Sequence, residues 1–311
     1  MAHAHDHDEH GDLTGRPLKI TLGLVIVIMV AEFVGGWLSN SLALVSDAGH
    51  MLTDALALGL SLFAIALARR PANPKKTFGY HRAEILAAFA NGAILILLSA
   101  YIFYEAALRF THKPEVKSPL MLAVAIVGLL ANIVSMFLLR QGSGKNINVK
   151  SAFLHVIGDT LSSIGVIIAA IIIYFTGWTP VDPLLAILIG VIILWGALRI
   201  VKESVDILLE STPRDIDMDE VLAEVKKIEG VEDMHEVHIW TLTSGIHALS
   251  AHLKVADQTV NESGVILSRV NDVLNDKFEI THTTLQLESE NCPTGLVCNL
   301  PTHNQANSHN H

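Results

Sequence analysis

Charged residues are scarce in this chain, and few of them interrupt its long hydrophobic runs. Only 17% of the 311 residues are Asp, Glu, Lys or Arg, whereas 51% are hydrophobic. Soluble domains carry about 25% charged residues. The composition therefore excludes an ordinary soluble protein and indicates a membrane protein.

Cysteine and basic residues are also few. Two cysteines, Cys292 and Cys298, are too few for a disulfide scaffold. With 21 basic and 31 acidic residues, the net charge of −10 leaves no basic stripe for phosphates, which excludes a nucleic-acid partner. No phosphate-binding G-x-x-x-x-G-K-[ST] loop occurs, so ATP-driven work is not indicated. The polar, His-rich start of the chain lacks the regions of a signal peptide.

Six hydrophobic stretches are long enough to cross a bilayer as helices. They lie at about residues 18–38, 42–67, 84–108, 118–139, 151–175 and 182–200. With the N-terminus inside, twelve Lys and Arg residues fall in cytoplasmic segments and three in outside loops. We therefore expect a multi-pass protein of the plasma membrane, embedded in lipid, with both termini in the cytoplasm.

After about residue 205 the hydrophobic runs stop and shorter patterns begin. Their order of helix, strand, strand, helix and strand predicts a cytoplasmic α+β domain of ferredoxin-like type, αββαβ. The predicted segments are a disordered His-rich tail (1–15), a six-helix transmembrane domain (16–204), the cytoplasmic α+β domain (205–290) and a disordered C-terminal tail (291–311).

The pattern His-x-x-x-Asp occurs twice inside predicted membrane helices, as His50/Asp54 and His155/Asp159. Residues four apart share one helix face. Ionisable residues at bilayer depth cost at least roughly 2.5 kcal/mol each, which favours a function over simple helix packing. If the two helices face each other, two imidazoles and two carboxylates form a shell that suits a divalent metal such as zinc.

Other polar residues also lie within the predicted spans. Asp47 continues the face of His50; we interpret it as a hydrogen-bond acceptor behind the ligands, with an outer ligand or an access-path carboxylate as alternatives. Glu32, Asn91 and Asn132 are interpreted as interhelical hydrogen-bonding groups.

Metal binding at such a site is coupled to protons. Imidazole must be neutral and carboxylate ionised to hold a metal, so loading the site releases protons. A site exposed in turn to each side would exchange metal for protons, which predicts a transporter without a prosthetic group. The alternative is a metal-independent proton-conducting or pH-sensing membrane protein. A metallohydrolase is disfavoured because four protein ligands leave no open metal position.

The predicted cytoplasmic domain holds a second candidate site. His238 and His252 lie on successive predicted strands and Glu288 on the third, so a surface zinc site is as good an explanation as ordinary exposed polarity. The sequence HEVH at 235–238 is not the HExxH protease motif, because its second His falls one position early.

The chain resembles a cation diffusion facilitator of the zinc-transporting branch over about residues 16–292. The resemblance is carried by NSLALVSDAGHMLTDALAL (40–58), FGYHRAE (78–84), SAFLHVIGDTLSSIGV (151–166), VDPLLAILIG (181–190) and VHIWTL (237–242). It implies six transmembrane helices, a cytoplasmic αββαβ domain, a homodimer, and antiport that moves metal out of the cytoplasm in exchange for protons.

The resemblance also implies the site residues. The transport site maps onto His50, Asp54, His155 and Asp159, a composition associated with zinc, with cadmium, cobalt and nickel left open. The cytoplasmic site, where zinc would regulate or be delivered, maps onto His238, His252 and Glu288. Its fourth ligand stays open among Cys292, Cys298 and an N-terminal His. His81 corresponds to a low-affinity interface site in some members, with a structural role as the alternative.

Overall fold

The computed structural model describes residues 12–68, 70–112, 114–140, 147–243 and 245–289. Within the helices, only the backbone is described for residues 12–19, 22, 54, 57, 58, 61, 62, 64, 65, 68, 147–152, 154 and 155. The described residues form two packed units, one from those within 12–63 and 87–201 and the other from those within 64–86 and 202–289.

Six long helices occupy the predicted hydrophobic stretches. They are α1 (Asp12–Ser39), α2 (Leu42–Ala68), α3 (Arg82–His112), α4 (Ser118–Arg140), α5 (Ile147–Thr176) and α6 (Val181–Leu208). Within the described part of the chain, four segments are long and apolar enough to cross a membrane: α3, α4, α6 and residues 156–176 of α5. All six predicted helices of the membrane domain are present, and most continue beyond the predicted hydrophobic stretch.

Small residues let the helices of the first unit approach closely. A Cβ atom at Gly36 of α1 would lie 2.8 Å from Val45 Cγ2 and 2.9 Å from the Val45 backbone nitrogen of α2. The chain reverses between these helices at Asn40, whose φ of 56° is the left-handed conformation that Asn tolerates. Close contacts of this kind bring membrane helices together.

Large apolar side chains cover the outside of the first unit. Trp37, Leu97, Phe175 and Trp195 are each at least 70% exposed. Exposed apolar surface on this scale is unsuitable for water but suits the hydrocarbon core of a bilayer. The exposed apolar surface therefore agrees with the membrane protein that the composition indicates.

The second unit contains the predicted αββαβ arrangement. Its elements are α7 (Met218–Val225), β1 (Val231–Thr243), β2 (Ile246–Val255), α8 (Val260–Phe278) and β3 (Ile280–Glu288). The sheet order is β1-β2-β3, with β1 and β2 antiparallel and β2 and β3 parallel. Residues of α7 and α8 pack against one face of the sheet in a single apolar core: Val221, Val225, Ile266, Val270 and Leu274 lie against Met234, Val237, Ile239, Leu249 and Leu253.

The connection between α2 and α3 belongs to this second unit. Thr243 Oγ1 donates a hydrogen bond of 2.6 Å to Glu84 Oε2, and Arg82 Nη2 lies 2.7 Å from Glu210 Oε1. These contacts join the start of α3 to the end of β1 and to the segment after α6.

A β-bulge in β1 sets which side chains leave the core. His235 pairs with His252, but His238 pairs with Ser250, so β1 holds one extra residue between these pairs. The extra residue falls around Glu236, whose φ is 47°. Met234 lies in the core before the bulge and Val237 after it. His235 and His238, although three positions apart, consequently both lie on the face away from the core.

Candidate metal sites

A hydrogen bond joins α2 to α5 at the level of the repeated His-x-x-x-Asp pattern. Ser162 Oγ of α5 donates to Asp47 Oδ1 of α2 at 2.7 Å. Asp159 precedes Ser162 by three residues and lies on the same face of α5. Asp47 and Asp159 are only 2% and 3% exposed. Two buried carboxyl groups therefore flank the contact between the two helices that carry the predicted ligands.

The described residues include half of the predicted transport site. His50 lies one turn beyond Asp47 on α2, half-buried, and Asp159 lies buried on α5. The side chains of Asp54 and His155 lie outside the described part of the chain. The convergence of all four ligands on one cation therefore stays a prediction.

Polar groups on two other helices surround this level. Asn132 Nδ2 of α4 donates to Ser163 Oγ of α5 at 3.3 Å, which confirms the prediction that Asn132 forms an interhelical hydrogen bond. Glu32 of α1 is 1% exposed, and a Cβ atom at Gly128 of α4 would lie 2.5 Å from its Oε1. Gly128 thus leaves the space that the Glu32 carboxyl occupies.

In the second unit, His235, His252 and Glu288 come together on the face away from the core. His235 Nε2 lies 3.2 Å from Glu288 Oε2, and His252 Nδ1 lies 2.8 Å from Glu288 Oε1. One nitrogen or oxygen atom from each residue lies within 4.8 Å of the others. Two imidazoles and one carboxylate would supply three of the four ligands of a tetrahedral zinc ion.

The hydrogen bonding of this cluster fits a metal. His235 Nε2 and His252 Nδ1 are buried, and neither forms a hydrogen bond despite the short distances to Glu288. One divalent cation between the three groups would bind both imidazole nitrogens and the carboxylate at once, and the convergence of these atoms fits such an ion. Gln286 Nε2 donates to Glu288 Oε1 at 3.0 Å and helps to orient the carboxylate.

The structure corrects one predicted member of this cluster. His238, the predicted partner of His252 and Glu288, is exposed and lies opposite Ser250 instead. His235 takes its place, because the bulge at Glu236 shifts the register by one residue and puts His235 directly opposite His252. The sequence holds both histidines in HEVH, but a regular strand would put them on opposite faces.

His81, a further predicted ligand, does not join this cluster. His81 lies before α3 and lines a cavity of about 290 Å³ within the second unit, together with Phe78 and His282. Among the described residues, the group with ligand atoms in reach of one another is His235, His252 and Glu288, and His81 is not part of it. Cys292, Cys298 and the histidines of both tails lie outside the described residues.

The sequence matches two family profiles along most of its length. The profile of the cation efflux transmembrane domain matches residues 18–209, and that of the cation efflux protein cytoplasmic domain matches residues 213–290. The chain belongs to the cation efflux family. Membership confirms the resemblance found in the sequence and makes this cation efflux protein a transporter rather than an enzyme.

Bacterial relatives align with this cation efflux protein over almost their whole length. It is 43% identical to a cadmium, cobalt and zinc/H(+)-K(+) antiporter of Bacillus velezensis, covering 99% of both chains. It is 46% identical to the metal cation efflux system protein CzcD of Cupriavidus metallidurans, covering 94% of this chain and 92% of the relative. It is 41% identical to the zinc transporter ZitB of Escherichia coli over 100% of both chains.

A solved structure matches part of the chain. It is the metal-bound C-terminal domain of the CzcD transporter, 40% identical, with a TM-score of 0.22, covering 24% of this chain and 99% of that one.

Proposed function

We propose that this cation efflux protein is a secondary active transporter that exports divalent metal, zinc first, from the cytoplasm in exchange for protons. The observation that carries the proposal is the Ser162–Asp47 hydrogen bond, which joins α2 to α5 one turn from the buried Asp159. The names of the relatives from Bacillus velezensis and Escherichia coli support the cargo and the coupling to protons.

The proposed transport site consists of His50, Asp54, His155 and Asp159. Two neutral imidazoles and two carboxylates favour a borderline-soft ion such as zinc over harder ions, with cadmium and cobalt as further cargo. Protons compete with the metal for the same atoms, so metal released on the acidic side would be replaced by protons. Asp47, bonded to Ser162, would hold α2 beside α5 rather than bind the metal.

Alternating access would arise from movement of helices around this fixed site, as in other secondary transporters. We place the protein in the plasma membrane with both termini in the cytoplasm, on the distribution of Lys and Arg. We also propose a homodimer, as the resemblance to cation diffusion facilitators implies. The match of residues 213–290 to a dimer-domain profile supports this proposal.

The proposed second site binds zinc through His235, His252 and Glu288 in the cytoplasmic domain. Its support is the convergence of ligand atoms from His235, His252 and Glu288 within 4.8 Å of one another, with both imidazole nitrogens buried. A water, Cys292, Cys298 or an N-terminal His would complete four ligands. Such a site would report the cytoplasmic zinc level and regulate transport.

Transport by the purified chain in proteoliposomes tests the proposal. We expect zinc uptake driven by a pH gradient, with matching proton movement, and its loss in Asp54→Ala and Asp159→Ala. Asp276→Ala, an exposed change on α8, serves as the matched control. Undiminished zinc flux in Asp54→Ala or Asp159→Ala would reject the site. Proton flux that a zinc chelator leaves unchanged would instead support the metal-independent proton conductor.

A further inference from the structure

Asp182, at the start of α6, binds the start of α2. Its carboxyl group is fully buried. Oδ1 accepts hydrogen bonds from Ser41 Oγ at 2.6 Å and from the Ala43 backbone nitrogen at 3.2 Å. Oδ2 accepts from the Leu42 backbone nitrogen at 2.7 Å. A helix leaves its first N–H groups without partners, so Asp182 caps α2 from a different helix.

Ser41 provides a second cap at the same place. Its Oγ accepts a hydrogen bond from the Leu44 backbone nitrogen at 3.3 Å while donating to Asp182. The first turn of α2 is thus satisfied partly by its own serine and partly by α6. The positive end of the helix dipole of α2 adds to the attraction of the Asp182 carboxylate.

Arg109 brings α3 into the same network. Its Nη1 donates to the Asn40 carbonyl oxygen at 2.7 Å and lies 3.5 Å from Asp182 Oδ2. Its Nε donates to Glu105 Oε1 at 3.0 Å. The Arg109 side chain is 12% exposed, so its charge offsets that of Asp182 in a largely water-free environment. The start of α2 is therefore held by both α3 and α6.

The network lies close to the proposed transport ligands along the helix. Asp47 and His50 follow Leu42 by five and eight residues on α2, which places them about 8 and 12 Å further along the axis. A helix fixed at its start cannot slide or rotate there without losing its caps. Rotation of α2 by one residue, about 100°, would turn its ligand face away from α5.

We infer that Asp182 is a positioning residue for transport: its carboxylate fixes the start of α2 against α6 and so keeps the face of α2 that carries Asp47 turned towards α5. This inference rests on the proposed function. Three donors converge on Asp182 from α2, and a carboxylate meets them with two acceptor oxygens. The side-chain amide of asparagine would place its NH2 group against one of these donors, so asparagine cannot replace Asp182.

The test is zinc uptake into proteoliposomes as a function of zinc concentration. For Asp182→Asn we expect the KM for zinc to rise by about tenfold, the factor for loss of one hydrogen bond to a charged group. A residue that only supports folding would reduce the amount of folded transporter and leave KM unchanged. Asp206→Asn, on the same helix but half-exposed at the other end and paired only with Arg214, is the matched control and should keep the native KM.

A second variant covers the case in which Asp182→Asn does not assemble. Ser41→Ala removes only the 2.6 Å bond to Asp182 and the local cap. We expect the KM for zinc to rise by about threefold, and an unchanged KM overturns the inference. If the native chain moves zinc and Asp159→Ala abolishes this transport, an unchanged KM in Asp182→Asn refutes this inference and leaves the proposed function intact. A native chain that moves no zinc refutes the proposed function itself.

Discussion

Two histidines of β1, His235 and His238, lie on the same face of the sheet, but only His235 reaches His252 and Glu288. We expect His235→Ala to weaken zinc binding by more than about 100-fold, since loss of a ligand should exceed the 10–100-fold cost of losing a group that only orients one. His238→Ala should leave it unchanged. The measurement is zinc competition with a chromophoric chelator, using the full chain with Asp159→Ala to remove the transport site. An equal loss of zinc affinity in His235→Ala and His238→Ala would contradict the assignment of His235 to the metal site.

A second residue-scale prediction concerns Glu224 of α7. Hydrogen bonds of 2.6 Å from Lys227 and Lys277 lower the pKa of Glu224 from 4.5 to about 2. Because the folded pKa lies below the ordinary value, the stabilisation is present above about pH 4.5 and is lost as the pH falls towards 2. The Glu224 side chain is 18% exposed and both lysines are more than half exposed, so water and salt weaken the effect.

Lys277→Ala should therefore move the acid-induced loss of protection in α7 to higher pH, because one of the two hydrogen bonds that lower the Glu224 pKa is gone. Hydrogen exchange of the full chain measured between pH 2 and 5 would follow this change. Lys254→Ala, which removes a pair with Glu232 instead, is the matched control. A midpoint that shifts equally in both variants would argue against the assignment to Glu224.

The residue types of both metal sites could be predicted from the sequence. Which histidine of β1 lies beside His252 could not. Helical spacing put Asp47 on the face of His50, and α2 meets α5 there through Ser162. In β1, strict alternation fails at Glu236, a residue with no preference for the positive φ that it adopts. Pairing with β2 decides this bulge, so no local pattern in HEVH could reveal it.

At the scale of elements, α8 has the most clearly encoded boundary. Thr259 Oγ1 accepts from the Glu262 backbone nitrogen at 3.4 Å, and Glu262 Oε2 accepts from the Thr259 backbone nitrogen at 2.9 Å. This is a capping box. The Thr259 backbone N–H and the Thr259 hydroxyl, which also donates to Glu262 Oε2 at 2.8 Å, lower the pKa of Glu262.

We expect Thr259→Ala to lower the free energy of unfolding of the second unit by about 1 kcal/mol. Val260→Ala, one residue later and 90% exposed, should change it by less than about 0.5 kcal/mol. Hydrogen exchange of α8 and β3 amides in the full chain measures both. The capping role would be refuted by a Thr259→Ala variant as stable as Val260→Ala.

The elements themselves were predictable from periodicity. Hydrophobic length located all six long helices, and the αββαβ order emerged from alternation and helical spacing. The ends were less predictable, because polar residues continue a helix beyond its apolar stretch: α1 begins at Asp12 and α6 ends at Leu208. The cap that Asp182 places on α2 joins residues 140 positions apart, and such a contact has no local signal.

At the scale of the whole molecule, the ligand types should decide which metal is carried. The proposed transport site balances two imidazoles against two carboxylates, and imidazole favours zinc whereas carboxylates favour harder ions such as manganese. His50 is the described imidazole of the set, half-buried on α2 beside the buried Asp47. Replacing His50 by a carboxylate should therefore be enough to change the metal preference of the transporter.

We expect His50→Asp to raise manganese uptake relative to zinc uptake by about fivefold or more, because the site would then offer three carboxylates and one imidazole. The measurement is the ratio of the two uptake rates in proteoliposomes under one pH gradient. His112→Asp, an exposed change at the end of α3, controls for added charge and should leave the ratio unchanged. An unchanged ratio in His50→Asp, with zinc transport retained, would show that His50 does not contact the cargo and that α2 contributes to the site through other atoms.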